Sequence, residues 1–223
     1  MARVTPPTPW RELADLPYAS ALTPHRGTLA AAAVYDCEHF DQLSLDGADG
    51  GSARFLECAL TGVTGERTGL RRVTFTDVWL RDTRLVAADL AESSWSGTTL
   101  MESALAGAEM YGATLRQVVA ESCKLESVNL RGADAADVVF RNCLLRDVDF
   151  SGAALRRISF PGSRLSRVTF TGVRMDRVDL REVAELGITV DPTALRGAIM
   201  TSAQLIQAAP LLADSIGIIL DDT

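Results

Sequence analysis

Counted in fives from Tyr35, the chain places an apolar residue at almost every step. The positions read Tyr35, Phe40, Leu45, Phe55, Leu60, Leu70, Phe75, Leu80, Leu85, Leu90, Trp95, Leu100, Leu105, Met110 and Leu115, and the frame holds without a slip to Leu180. Neither regular secondary structure produces this pattern. A helix repeats its apolar residues at three and four, and a half-buried strand repeats them at two. A period of five needs a short extended piece and a turn, repeated, with one side chain per repeat aimed at a shared axis. A second inward position supports the same reading. Two residues before each centre the chain is small or β-branched, as at Val73, Ala88, Ala113, Cys123, Val138, Ala153 and Val178. A large side chain there would collide with the central residue inside a narrow tube.

The repeats Ala88-Asp89-Leu90, Val128-Asn129-Leu130, Val148-Asp149-Phe150 and Val178-Asp179-Leu180 show a small residue, then Asp or Asn, then Leu or Phe. This motif resembles that of the pentapeptide-repeat proteins, over about two thirds of the chain. The resemblance implies an all-β fold: a right-handed, four-sided parallel β-helix with four repeats per coil. Residue n then stacks on residue n+20. One column becomes Leu85, Leu105, Leu125, Leu145 and Leu165, and another Leu90, Met110, Leu130, Phe150 and Phe170. Coils spaced by one strand separation, about 4.8 Å, give a rod about 35 Å long. Gly50, Gly65, Ala120 and Ala135 depart from the rule at central positions. The glycines there suggest irregular or bulged coils over 47–69.

Three regions follow. Residues 1–34 lack the frame and read as an N-terminal cap, with a short helix and loop from Trp10 to Ala33 closing the first coil. Residues 35–182 are the β-helix. Residues 183–223 hold an irregular repeat, a helical cap and a terminal strand. In that last region Ser202 suits an N-cap, Gly217 a stop, and Pro210 a break into two helical pieces. Ile216–Leu220 reads as a strand pairing near Ile188–Val190. Caps are required because a solenoid end exposes unpaired strand edges and apolar core.

No apolar run approaches membrane length. The start, Met1 to Trp10, is Pro-rich and lacks the charged and apolar regions of a signal peptide, so a cytoplasmic location is the expectation. The four cysteines fit a structural role. Cys58, Cys123 and Cys143 occupy the small inward position, where a thiol acts as a small hydrophobe, and no His or CxxC spacing accompanies them. Cys123 and Cys143 should be buried and reduced, since side chains pointing the same way make poor disulfide geometry.

Catalytic, metal and cofactor sites are not expected. The two histidines, His25 and His39, have no neighbouring nucleophile or metal-ligand spacing, and no phosphate-binding or nucleophile-elbow motif occurs. A non-enzymatic protein-binding solenoid is the leading expectation. Its candidate contact column is Trp79, Thr99, Val119, Val139 and Ser159, with Met101 beside it, because apolar residues are unexpected at an outward position. Parallel columns that simply favour β-branched residues are the alternative explanation.

The family resemblance implies a second function. Some members resemble B-form DNA, bind the bacterial type II topoisomerases (gyrase and topoisomerase IV) and protect them from quinolones or other poisons. They often do so as dimers joined through a C-terminal helix. The stretch Arg54-Phe55-Leu56-Glu57-Cys58 is similar to bacterial members that carry no such assignment. The net charge of −7 agrees with a DNA mimic in sign. An acidic stripe, Asp49, Asp89, Glu109 and Asp149, runs along one side, with Asn129 filling the gap. Solvated turn-forming residues would produce the same stripe. The charge distribution fits less well: 15 acids face 8 bases from Tyr35 to Leu130, but only 6 face 10 from Arg131 to Arg181. Weak or absent gyrase inhibition is therefore expected, and no direct nucleic-acid or membrane binding. The tail residues Leu205, Leu211, Leu212, Ile216 and Ile219 exceed what one coil end needs. They either pack on Ile188–Val190 or join a homodimer across a two-fold axis.

Overall fold

The computed structural model describes residues 10–215 and 217–219. Those residues form a parallel β-solenoid of about eight turns. Every pair of neighbouring strands is parallel, and the register is twenty along the body: Phe55 pairs with Phe75, Leu100 with Ala120, Leu105 with Leu125. Four faces result. On the first face the centres are Tyr35, Phe55, Phe75, Trp95, Leu115, Ala135, Leu155 and Met175. The second carries Phe40, Leu60, Leu80, Leu100, Ala120, Phe140, Phe160 and Leu180. The third face is the leucine column. On the fourth, strands shrink to single bridges that run from Asp49 through Gly69, Asp89, Glu109 and Asn129 to Asp149. The eight-residue strand Asp134–Arg141 turns the corner and joins the first two faces into one sheet.

The core is the stack of centres. Leu85, Leu105, Leu125, Leu145 and Leu165 are all buried, as are Val118, Val128, Val138 and Val148. On the first face the rings pile up: Tyr35 on Phe55 at 4.9 Å, Phe55 on Phe75 at 5.0 Å, Phe75 on Trp95 at 4.3 Å. A second regularity serves the small inward slot. In several coils a polar head in that slot donates to the carbonyl of the residue 23 positions earlier. Thr68 Oγ1 reaches Leu45 O at 2.9 Å and Ser163 Oγ reaches Phe140 O at 2.8 Å. The thiols of Cys58, Cys123 and Cys143 do the same to Tyr35, Leu100 and Ala120. All three cysteines are buried and free, and the hydrogen bond with Cys123, joined by burial, pushes the Cys143 thiol far up.

Each corner closes on one residue in the left-handed region. The second residue after every centre has positive φ, without interruption from Ala32 to Arg177. Glycine fills some of these sites, but so do Glu57, Arg67, Gln117 and Arg157. A turn with φ above zero normally selects Gly or Asn. Here the stack imposes it on whatever residue arrives.

Several expectations are corrected. The early coils are not bulged: Thr64 pairs with Arg84 and Gly65 with Leu85 in the common register. Gly50 instead makes room for the cap, since a Cβ there would lie 2.6 Å from Leu29 Cδ2. The real irregularity comes later. Leu165 pairs with Leu186, one residue out of step, and the register is restored by Val168 with Ile188. One inserted residue is absorbed there. At the C-terminus a single helix, α1, spans Ser202–Ser215 with Pro210 inside it, so proline does not split it. Its cap is Thr201, not Ser202. Thr201 Oγ1 accepts from Gln204 N at 3.1 Å and Gln204 Oε1 accepts from Thr201 N at 2.9 Å, a reciprocal capping box. Ile216 and Leu220, the ends of the expected terminal strand, lie outside the described residues, and 217–219 are not in a strand.

The N-terminal segment also differs from expectation. It forms two single 3-10 turns, Leu13–Asp15 and Ala19–Ala21, in place of a helix. Only its later part closes the first coil. There Thr23–Pro24 pairs with Glu38–His39, and the His25 ring stacks on Phe40 at 4.0 Å. The earlier part, Trp10 to Leu22, runs along the side of the solenoid.

Candidate functional site

That lateral segment lies on the second face, where the apolar outward column was expected to be open. The column is assembled as the sequence implied, because residues twenty apart share a position. Trp79 pairs with Thr99, Thr99 with Val119, and Val119 with Val139. It is not exposed, however. Trp79 is 1% accessible, Met101 6%, Val119 3% and Val139 5%. Over Trp79 and Met101 the cover is this chain's own strap. Leu16, Tyr18, Ala59, Trp79 and Met101 form a second apolar cluster, flanked by Leu13, Ala19 and Leu22.

Polar contacts pin the strap around this cluster. The Trp79 indole Nε1 donates to Trp10 O at 2.9 Å, and the buried Tyr18 hydroxyl donates to Cys58 O at 3.4 Å. Arg81 Nη1 donates both to Arg11 O and to Glu12 Oε2, each at 3.0 Å. Glu121, itself nearly inaccessible, sits between Arg11 at 3.5 Å and Arg141 at 3.0 Å. A buried carboxylate needs such partners, since an unpaired one would be costly. Burial pushes the Tyr18 hydroxyl up and the Cys58 thiol to about 11, so both stay protonated donors at neutral pH. Sequence reasoning missed the strap residues Trp10, Leu16 and Tyr18, together with Arg81 and Glu121. The available signal was Trp79: a tryptophan at an outward site asks for a cover.

The acidic stripe is on the fourth face, and its carboxylates are engaged locally. Asp49 Oδ1 accepts from Gly51 N at 2.9 Å, Asp89 Oδ1 from Ala91 N at 3.0 Å, and Asp149 Oδ1 from Ser151 N at 2.8 Å. Asn129 makes the same bond to Arg131 N at 3.2 Å, which is why Asp and Asn interchange at this position. Glu109, one methylene longer, instead accepts from Asn129 Nδ2 at 2.6 Å. Burial would raise the Asp149 carboxyl, but Ser151 and Arg131 outweigh it and hold it below the usual range.

The arginines of the later coils are used in the same way. Arg157 and Arg167 each reach back one coil with two nitrogens, to Asp137 and Asp147, with every distance 2.6 Å. Arg146 meets Glu126 at 3.0 Å. Hydrogen bonds from these arginines depress the Asp137 and Asp147 carboxyls. Among the described residues no group of three or more His, Cys, Asp or Glu is placed to hold a metal ion, and no helix is long and apolar enough to cross a membrane.

The repeats therefore stack in the register, and with the turn chemistry, that the five-residue motif implied. Residues 99–170 match a family model described as a pentapeptide repeat region. Over 99–170 the chain thus carries a pentapeptide repeat region. Among solved structures the chain is similar to a trypsin-treated form of QnrB1, a plasmid-mediated fluoroquinolone resistance protein. The TM-score is 0.61 and the identity 16%, covering 90% of this chain and 98% of that one. A second trypsin-treated form of QnrB1 gives a TM-score of 0.51 at 18% identity, over 90% and 96%. HetL from the cyanobacterium Nostoc, involved in heterocyst differentiation regulation, matches at 19% identity over 77% and 90%, with a TM-score of 0.45. At these identities the likeness is one of fold. No curated protein matches the sequence.

Proposed function

We propose that this chain is a pentapeptide-repeat protein that acts as a non-enzymatic binding solenoid, with the second face as its docking face. The observation that carries this reading is the strap. An irregular peptide segment is held there by an apolar strip with a tryptophan at its centre and ionic contacts at its rim. That is the anatomy of a protein interface: a desolvated aromatic anchor inside a polar border. A partner segment of the same chemistry would take the place of Trp10–Leu22 over Trp79 and Met101, and extend toward Val119 and Val139.

The reading is tested by recovering bound proteins from native lysate with the wild type, with Val139→Asp on the second face, and with Asp89→Ser on the fourth. Prey lost with Val139→Asp and kept with Asp89→Ser supports it. Prey indifferent to both substitutions rejects it. Gyrase is probed in the same eluates, because protection of a type II topoisomerase is the competing reading, supported at the level of fold. Against it stand the carboxylates of Asp49, Asp89 and Asp149, which bond to the backbone of their own turns, and the arginines of the second half. A DNA mimic must present unneutralised negative charge, since phosphate charge dominates what a DNA-binding groove attracts. Supercoiling inhibited at low protein concentration, or rescued from ciprofloxacin, would establish the competing reading instead.

Self-association belongs to the same proposal. On α1, Leu205 is 52% and Ile206 73% exposed, beside a cleft lined by Leu195, Met200 and Leu212. This apolar end fits a second copy across a two-fold axis. Light scattering should give a dimer that Leu205→Glu with Ile206→Glu converts to monomer. A monomeric wild type would remove the dimer from the proposal.

A further inference from the structure

Where the strap crosses the corner between the first and second faces, it leaves a partly open cavity of about 260 Å3. Three aromatic residues line it: Trp10 and Tyr18 from the strap, and Trp79 from the face. The carboxylates of Glu57 and Asp77 line it too, and so does Gly97. The corner column that supplies them runs Glu57, Asp77, Gly97, Gln117, Asp137, Arg157. Three coils on from Asp77, in the same column and the same left-handed turn, Asp137 is gripped by Arg157 from the coil above. Asp77 has no such partner among the described residues. The residue above it is Gly97, where a Cβ would collide with the Asp77 carboxylate. Its other neighbour in the column is a second acid, Glu57, whose carboxylate accepts from the Cys37 thiol at 3.6 Å. Burial and the Glu57 charge raise the Asp77 carboxyl above its ordinary value, the opposite of what Arg157 does to Asp137.

We propose that this cavity receives the guanidinium group of an arginine presented by a partner. Gly97 brings Asp77 no side chain like the one Arg157 brings Asp137, and the two carboxylates share their cavity with aromatic rings. A cation there gains two carboxylates and the negative faces of Trp and Tyr. The volume lies below that of sites for whole small molecules, about 300–1,000 Å3, and suits one long side chain. A planar fork is favoured over an ammonium because Arg157 and Arg167 meet Asp137 and Asp147 with two nitrogens each. The inference goes beyond the docking reading above, in which a partner segment replaces Trp10–Leu22, because this cavity exists only while Trp10 and Tyr18 stay on the face. It uses the strap in place, so it stands apart from displacement of the strap.

The test needs no partner. N-acetyl-arginine methylamide is titrated into the full chain, followed by amide and indole chemical shifts, with N-acetyl-citrulline methylamide as the neutral isostere. The expected result is saturable shifts at Trp10, Tyr18, Trp79 and Gly97 with the arginine compound alone, weakened about tenfold by Asp77→Asn or by Glu57→Gln, as for loss of one charge-assisted contact. Binding should also fade in acid as Asp77 protonates. Thermal melting of Asp77→Asn controls for folding, and it should not fall, since the carboxylate makes no hydrogen bond or ion pair to lose among the described residues. Absence of saturable shifts, equal binding of citrulline, or indifference to both substitutions overturns the proposal. None of these outcomes touches the lysate experiment, which tests the docking face by itself.

Discussion

The two halves of the solenoid solve the same stacking problem with different chemistry. The early coils, from Tyr35 to about Leu115, rest on a pile of aromatic rings and are tied along one side by the strap. Their acids outnumber their bases, and several of those acids lack a cation. The later coils, to Leu180, have neither strap nor ring pile on the first face. They are laced by arginines that reach back one coil to Glu121, Glu126, Asp137 and Asp147. The excess of arginine in this half is thus internal bookkeeping between coils. The lesson is that a repeat fixes the core once and leaves each stretch free to stabilise its surface separately, because each coil answers only to its neighbours.

The largest effect should come from the element common to both halves. Leu125→Asp places a charge in the closed tube and should prevent folding, while Leu125→Ala should cost about 2–5 kcal/mol, since a regular stack cannot collapse around the gap. Chemical denaturation followed by circular dichroism measures both. A cost near zero for Leu125→Ala would mean that the column does not act as a continuous core.

Next comes the strap. Trp79→Ala removes its anchor and should cost about 3–5 kcal/mol by analogy with other buried tryptophans. Hydrogen exchange should then speed up over 13–22 and in the early coils, with coils beyond Arg131 unchanged. Equal loosening of both halves would show that the strap does not hold the early coils separately from the later ones.

Acid should act in the opposite direction. Burial raises the Asp134 carboxyl, but Arg116 and Arg156 outweigh it, and Asp137, Asp147 and Asp149 are likewise depressed. Their contribution is present above the ordinary carboxylate pKa of about 4 and is lost as pH falls through the lower folded values. Asp77 is raised, so its contribution has the reverse sign: protonation favours the fold, and that gain is lost as pH rises through the raised value. Between neutral pH and strong acid the later coils should therefore lose exchange protection before the early ones. Salt should blunt the difference, because these pairs are largely exposed.

The smallest effect concerns a feature that both halves share. Ala87 sits in the left-handed region at φ 50°. Ala87→Gly relieves about 1–2 kcal/mol of backbone strain and gives back about 0.5–1 kcal/mol of chain entropy, so a slight rise in melting temperature is expected. A clear fall would show that the left-handed turn carries no local strain to relieve.

The columns were legible in the sequence because they are written in side-chain identity: a leucine recurs at twenty, and a small residue must precede it by two. The structural role of Cys123 and Cys143 was legible for the same reason. The left-handed corner was not, because its residue is almost anything; the coils above and below dictate φ, and local propensity has no vote. The strap was hidden for a different reason. Trp10–Leu22 carries no period, and its destination is determined by a single tryptophan some sixty residues away. Gly50 was misread because a missing side chain looks the same whether it marks a bulge or a socket for Leu29.

The strap has a mechanical consequence. It touches Cys58, Trp79, Met101 and Glu121, residues in four successive turns of the spiral. In the later coils, among the described residues, each turn is held by the ones directly above and below, so the far end can peel away one turn at a time. The near end cannot: to release any of those turns, the clasp across all of them must give way first. Pulled apart by its two ends, the molecule would come undone like a zip with one end stitched shut, unravelling from α1 and stopping where the clasp begins.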